Sequence, residues 1–161
     1  MCGKKLRTCI NNGKFFAVFV LTFLFCSCGY QSMKFEGGSM LPSIKDGETI
    51  YLNDDTSQLK RGDVVAFHYP KGTSNTMVKR IIGLPGETVE ISEGKVYING
   101  SLLSEPYVDP RNNVGTLNQP AVILSGNSYY VLGDNRDNTG TARASDVISR
   151  NMIYGIVVNN K

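Results

Sequence analysis

Short apolar runs, each stopped within a few residues by glycine or proline, dominate the chain after Tyr30. Polar and apolar residues alternate in Glu48–Leu52, which is typical of a half-buried strand. Glu87–Ile91 alternates in the same way and leads through a turn at Gly94 into Val96–Ile98, a pattern that predicts a β-hairpin. No long amphipathic helix is visible. The chain is therefore restricted to an all-β fold, and we expect an antiparallel β-barrel or coiled sheet.

Further β-rich runs continue this pattern through the rest of the chain. Val64–Phe67 and Met77–Ile82 are continuous apolar runs followed by turn residues, and Ser128–Leu132 and Met152–Val158 complete the set. Residues 99–127 are richer in Asn, Pro and Ser, so we expect a small insertion there. A length of 161 residues supports one ordinary domain.

Composition excludes several classes of protein. A hydrophobic content of 41% is enough for a packed core, which argues against disorder. The net charge is only +3, and the basic residues are scattered after the first segment, so nucleic acid is not an expected partner.

All four cysteines lie within the first 28 residues, and the body that follows contains none. A disulfide framework and a thiol nucleophile are therefore excluded from the body. Its single histidine, His68, leaves too few ligands for a zinc site. We expect no metal and no cofactor.

Residues 1–28 have the composition of a targeting or anchoring segment. Lys4, Lys5, Arg7 and Lys14 precede the apolar run Phe15–Phe25, an order that keeps the N-terminus in the cytoplasm and places the following domain outside. The run is short for a membrane-spanning helix, which needs about 20 apolar residues. It also resembles a lipoprotein signal, in which case Cys28 would carry the lipid. Both alternatives put the domain at a membrane, whereas a third, a buried core helix, does not.

Four stretches carry residues suited to catalysis or to tight turns. In chain order they are Gly38–Pro42, Arg61–Phe67, Val78–Glu87 and Gly133–Asn138.

The first and third stretches contain a candidate nucleophile and a candidate base. A serine hydroxyl such as that of Ser39 is a weak nucleophile without a base beside it, and most serines beside glycine only satisfy a turn. Lys79 shares a strand face with Met77 and Ile81, so it is predicted to have apolar neighbours. Burial of this kind lowers the pKa of a lysine and makes its neutral amine a competent general base. An exposed surface lysine is the alternative that spacing alone leaves open.

His68 is the rival base, because a Ser-His-Asp triad is possible in principle. It sits at a strand end, however, where a turn histidine is the more common case. Asp63 and Asp134 each follow a glycine, and we interpret both as structural residues that satisfy turn amides.

Taken together, the four stretches resemble in order and spacing the conserved boxes of bacterial signal peptidase I. The resemblance covers most of the chain from about Glu36 to Arg143. It implies that Ser39 is the nucleophile and Lys79 the general base of a serine endopeptidase that removes signal peptides from exported preproteins. It also implies an antiparallel β catalytic domain over residues 29–161, whose open edge binds the signal peptide as an added strand. No obligate protein partner is implied.

Some positions depart from the pattern of that family. Gly37 stands where some members carry a serine that helps to bind the oxyanion, so the oxyanion hole would rest more on backbone N–H groups, including that of Ser39. Thr139 keeps a hydroxyl that could orient the lysine amine. Thr141 and Ala142 replace a carboxylate and a hydroxyl, which leaves Arg143 to find another partner, such as Asp137 or Asp146.

Two further interpretations stay open on the sequence. The changes at Thr141 and Ala142 are compatible with a catalytically weak or silent protein that captures extended peptides at the membrane. A self-cleaving Ser-Lys repressor is the other, but an apolar segment occupies the place of its DNA-binding domain.

Overall fold

The computed structural model describes residues 30–68, 76–113, 117–137 and 146–158. These residues form eleven β-strands and two single turns of 3-10 helix, Pro110–Asn112 and Arg150–Met152. The strands, numbered in chain order, are Tyr30–Lys34 (β1), Thr49–Asn53 (β2), Val64–His68 (β3), Thr76–Gly83 (β4), Thr88–Ser92 (β5), Lys95–Ile98 (β6), Ser101–Leu102 (β7), Gln119–Ile123 (β8), Ser128–Leu132 (β9), Val147–Ser149 (β10) and Ile153–Val158 (β11).

Seven of the strands form one antiparallel sheet in the order β1-β2-β11-β3-β4-β9-β10. The alternation read in the sequence is present in it, since Ile50 and Leu52 of β2 are buried and their neighbours in that strand are not. The last of the described strands, β11, lies between β2 and β3. It joins the pair β1–β2 to the rest of the sheet. The prediction of an antiparallel all-β fold is confirmed.

The remaining four strands form a smaller antiparallel sheet in the order β7-β6-β5-β8. Its centre is the predicted hairpin of β5 and β6, whose two-residue turn places Glu93 and Gly94 at φ values of 49° and 72°. A turn with two positive φ values matches the twist of the flanking strands. The predicted insertion, residues 99–127, contributes β7, one 3-10 turn and β8 to this structure.

The two sheets pack against each other where β4 ends, at Gly83. A Cβ atom added to Gly83 would lie 2.4 Å from Val89 Cγ2 and 2.7 Å from Leu124 Cδ1, so no larger residue fits without displacing its neighbours. Around this contact lies a core cluster made of Ile82, Val89, Ile91, Val96, Leu124, Tyr130 and Leu132. The close approach fixes the smaller sheet on the end of the strand that carries Lys79.

The N-terminal segment predicted to be an anchor or a lipoprotein signal, residues 1–28, lies outside the described residues. Within the described ranges, no helix has the length and apolar character needed to cross a bilayer.

Candidate active site

Ser39 lies in the loop that joins β1 to β2. The loop is closed at its base, where the N–H of Phe35 donates to Glu48 O and the N–H of Gly47 donates to Phe35 O, both at 2.8 Å. Met40 and Ile44 are fully buried in a core cluster beneath it. Phe35, before the serine, belongs to the same buried cluster, so apolar residues on both sides of Ser39 anchor the loop, while Ser39 itself remains half-buried at the surface of a cavity.

Lys79 lies in β4 opposite Val65 of β3. Its side-chain face is apolar as predicted, because Val65 and Ile81 belong to one buried cluster and Met77 packs against it. Lys79 is only 5% exposed. Burial lowers its pKa to about 8, although the negative charges of Asp146 and Asp134 act in the opposite direction. A substantial fraction of the amine is therefore neutral near physiological pH.

Ser39 and Lys79 line the same cavity, which has a volume of about 430 Å³. One wall consists of the end of β1 and the residues after it, and the other consists of the first half of β4. The full lining is Met33, Lys34, Phe35, Glu36, Ser39, Thr76, Met77, Val78 and Lys79. The fold thus brings the two predicted site residues to one cavity from distant parts of the sequence.

Both walls of the cavity are strand edges. β1 is the outer strand of the larger sheet and pairs only with β2 among the described strands. In β4, Thr76 to Lys79 pair with β3 on one side, whereas the pairing with β9 starts at Arg80. Among the described residues, these backbone groups of β1 and β4 have no strand partner on the cavity side, so they suit pairing with an extended chain.

Arg80 follows the lysine and points to the opposite face of β4, where it connects four segments. Its guanidinium makes two hydrogen bonds to the carboxylate of Asp134, at 2.8 and 2.6 Å, and donates to Gly62 O at 2.7 Å. It also donates to Ser43 Oγ in the serine loop, at 3.3 Å, and lies 4.2 Å from the ring centre of Tyr107. Asp134 is fully buried, so this pair sits in a low-dielectric environment where its geometry is held firmly.

A second buried ion pair ties the insertion to the turn after β9. Arg136, which is 4% exposed, donates to both carboxylate oxygens of Glu105, and the hydroxyl of Tyr107 donates to the same carboxylate at 2.9 Å. Burial and the negative charge of Glu105 both raise the pKa of Tyr107. Tyr107 therefore stays protonated and holds its ring on Arg80.

The other candidate residues of the sequence analysis lie outside the cavity lining and make structural contacts. His68 ends β3, is exposed, and stacks on Tyr154 with 4.4 Å between ring centres; it is not among the described residues that line the cavity. Asp63 accepts a hydrogen bond from the N–H of Lys60 at 2.7 Å, and Asp134 binds Arg80. Within the described part of the chain, no three His, Cys, Asp or Glu side chains are grouped to hold a metal.

Comparison with known proteins decides the family. Residues 9–159 match the family model described as signal peptidase, peptidase S26. The chain belongs to the signal peptidase S26 family. This membership makes the protein a serine peptidase, as the four sequence stretches had indicated.

Individual members of the signal peptidase family are similar over most of their length. Signal peptidase I T of Bacillus subtilis (strain 168) is 34% identical over 155 residues, which cover 87% of this chain and 78% of that protein. Signal peptidase I of Bacillus amyloliquefaciens is 36% identical over 135 residues, covering 74% and 67%. A crystal structure of a signal peptidase I from Enterococcus faecalis V583 superposes with a TM-score of 0.53 at 31% identity, covering 63% of this chain and 97% of the other.

Two residues of this signal peptidase-family chain were missed by the sequence analysis. Arg80 and Asn135 lie within the stretches Val78–Glu87 and Gly133–Asn138, but neither was singled out as a candidate site residue. Asn135 contacts the serine loop: its N–H donates to Ser39 O at 3.1 Å and its side-chain Nδ2 donates to Gly38 O at 3.0 Å. The available signal was that both residues occur in the stretches that also supply Lys79 and Asp134. The departures at Thr139, Thr141 and Ala142, and the partner of Arg143, lie outside the described residues.

Proposed function

We propose that this chain is a type I signal peptidase in which Ser39 is the nucleophile and Lys79 the general base. It removes N-terminal signal peptides from exported proteins. The observation that carries the proposal is that Ser39 shares a cavity with a buried lysine whose pKa is lowered to about 8. The similarity to proteins named signal peptidase I supports the substrate class.

The proposed reaction begins with the neutral form of Lys79. Its amine takes the proton of Ser39 while the Ser39 oxygen attacks the carbonyl carbon at the cleavage site. The resulting oxyanion is bound by backbone N–H groups, including that of Ser39. Lys79 then gives its proton to the leaving amine, and water hydrolyses the acyl-enzyme.

The substrate is proposed to bind as an added strand between the free edge of β1 and the first half of β4. Main-chain hydrogen bonds to these edges supply affinity, and alternate side chains of the substrate point into the cavity, as in other cases of strand addition. We expect small residues at the first and third positions before the cut. Met33, Phe35 and Val78 support this, because they give the cavity lining apolar surface that suits small apolar side chains.

The proposed location is a membrane, with the catalytic domain on the extracytoplasmic side. The support is the order of positive charge and apolar run in residues 1–28. A spanning helix and a lipid on Cys28 are both compatible with that order. Mass spectrometry of the mature N-terminus distinguishes them, because a lipid-modified chain would begin at Cys28.

The test uses the full chain in detergent and a synthetic peptide that contains a signal-peptide cleavage site. Ser39→Ala and Lys79→Ala are each expected to reduce cleavage by about 10³-fold or more, with circular dichroism spectra that match the parent chain. His68→Ala is the control and keeps most of the activity, because His68 lies outside the cavity lining. An equal loss in His68→Ala and Ser39→Ala would show that the pair is assigned wrongly.

The same experiment addresses the silent peptide-binding alternative. A parent chain that binds the peptide without cutting it, at any pH from 6 to 10, would support that alternative and contradict the proposed peptidase.

A further inference from the structure

Asn135 makes two hydrogen bonds to consecutive peptide groups on either side of Ser39. Its side-chain Nδ2 donates to Gly38 O at 3.0 Å, and its backbone N–H donates to Ser39 O at 3.1 Å. Both carbonyl groups that flank the serine backbone are therefore turned toward the 133–137 segment. The carbonyl of Gly38 also accepts from the N–H of Leu41, at 3.3 Å, which fixes its direction further.

The direction of a carbonyl determines that of the next N–H. In a trans peptide the C=O and the N–H point in opposite directions, and the peptide between Gly38 and Ser39 is trans. With Gly38 O held on Asn135, the N–H of Ser39 points away from Asn135. A flip of this peptide would replace that donor with a carbonyl oxygen, which repels a developing negative charge instead of binding it.

Two glycines precede Ser39, so no side chain of their own restricts the peptide between Gly38 and Ser39. Gly37 has a φ of +98°, and no atom lies within 4 Å of the position that its Cβ would occupy. Its N–H donates to Asp46 Oδ1 at 2.7 Å, which holds the start of the turn but not the peptide that follows Gly38. The two glycines let the backbone take the required path, and Asn135 selects one orientation of the peptide that follows.

We propose that Asn135 is a positioning residue for the oxyanion hole, which it orients through the peptide between Gly38 and Ser39. This inference rests on the proposed function, since an oxyanion hole matters only if Ser39 is the nucleophile. An asparagine suits the role because its short side chain carries an N–H donor beside its own backbone N–H. An aspartate of the same shape would present only acceptors to Gly38 O.

The test compares Asn135→Ala and Asn135→Asp with a matched control, Asn113→Ala. Asn113 is also half-buried and also donates from Nδ2 to a backbone carbonyl, Gly94 O, at 3.1 Å, but in the insertion. Each Asn135 variant is expected to lower kcat by about 10- to 100-fold with KM unchanged, whereas Asn113→Ala stays within about twofold of the parent chain. The pH dependence of kcat/KM is expected to keep its midpoint, because Lys79 is untouched.

A second readout uses two inhibitors that differ only at the reacting group. In a substrate-like peptide aldehyde, the Ser39 oxygen adds to the carbonyl carbon, its proton passes to Lys79, and the carbonyl oxygen becomes the alkoxide. The corresponding peptide alcohol binds without forming any new bond. Asn135→Ala is expected to weaken the aldehyde by the same factor as kcat and to leave the affinity of the alcohol unchanged.

Equal weakening of aldehyde and alcohol, or a kcat within about twofold of the parent chain, would overturn the role of Asn135. Ser39→Ala separates this failure from that of the proposed function. If Ser39→Ala is inactive while Asn135→Ala is normal, only the positioning role is wrong. If Ser39→Ala still cleaves, the proposed function itself is wrong.

Discussion

The charge state of Lys79 decides at which pH the proposed base can work. Its pKa is lowered to about 8 by burial, so the amine is mostly protonated below that pH and mostly neutral above it. We expect kcat/KM for a soluble peptide to rise about tenfold per pH unit below 8 and to level off above it. A pH–rate profile measured from pH 5 to 10 tests this.

Asp146→Asn provides the directional control for that profile. The negative charge of Asp146 is the largest of the influences that raise the pKa of Lys79. Its removal is expected to lower that pKa further and move the rising limb to lower pH, while the plateau stays within a few fold. A limb that moves to higher pH, or does not move, would mean that another group controls it.

Burial of Lys79 also has a cost in stability. A reduction of the pKa from 10.5 to about 8 corresponds to about 3 kcal/mol of unfavourable free energy at pH values below 8. The sign follows from the depressed pKa of a cation: the penalty is present below pH 8 and disappears as the pH rises toward 10.5. Lys79→Met is therefore expected to be inactive but more stable at pH 7, by up to about 3 kcal/mol.

Urea unfolding at pH 7 and pH 10 measures this effect. The gain in Lys79→Met should shrink at pH 10, because the lysine of the parent chain is then largely neutral in the folded state. A gain of the same size at both pH values would instead indicate better packing of the methionine.

At the scale of elements, β4 is the strand on which the site depends. It presents Lys79 on one face and Arg80 on the other, and Arg80 holds Gly62, Asp134, Ser43 and Tyr107. One strand thus connects the proposed base to the serine loop, the turn after β9 and the insertion. The position of Lys79 depends on contacts made by its neighbour.

Arg80→Lys is expected to destabilise the fold by about 1–3 kcal/mol and to lower kcat, because an ammonium group cannot bind Asp134 through two bonds or stack on Tyr107. Arg111→Lys is the matched control: Arg111 also binds an aspartate, Asp109, through two nitrogens, but its side chain is 88% exposed. We expect no measurable change there. Thermal unfolding and peptide cleavage measured on both variants decide the matter, and equal effects would contradict a role for burial.

The strands that the sequence analysis identified and those that it missed differ in one physical respect. Each central strand was visible as an apolar or alternating run, because at least one of its own side-chain faces is buried in the core. The four strands that were missed are the outer strands of the two sheets, β1, β10, β7 and β8. Outer strands bury less: β7 has two exposed residues, and β8 contains Pro120, which a central strand would not tolerate.

The candidate site, like the fold, was predictable only where a local pattern in the sequence encodes it. The apolar neighbours of Lys79 followed from the period of a strand, and its pairing with Ser39 came from the family resemblance. The contacts of Arg80 with Asp134 and of Asn135 with Gly38 join residues far apart in the chain. No local pattern encodes such contacts, since they depend on how β4 and β9 are placed beside the serine loop.

At the scale of the whole molecule, the distance between the N-terminal segment and the site is short. Ser39 lies eleven positions after Cys28, and a fully extended chain of that length spans at most about 40 Å. An anchor at residues 1–28 would therefore hold the cavity close to the bilayer, beside substrates whose own apolar segment is embedded there. Shared confinement of this kind raises the effective concentration of the substrate.

A chain that begins at Gly29, which keeps all of β1, is expected to cleave a soluble peptide at the rate of the full chain. It should process a preprotein embedded in lipid vesicles at least about tenfold more slowly. A long Gly/Ser linker inserted between residues 28 and 29 serves as the control and should slow only the vesicle reaction. Equal rates for all three chains on the embedded preprotein would show that proximity contributes nothing.

β11 is the last of the described strands to be synthesised, so the larger sheet is completed late. Ser39 follows β1 and Lys79 belongs to β4, and both leave the ribosome well before residues 153–158, which complete the sheet between the two halves. A half-synthesised chain can form the pair β1–β2 and the pair β3–β4, but the strand that pairs with both β2 and β3 is still missing. We therefore expect the cavity between β1 and β4 to be complete only after β11 has been synthesised.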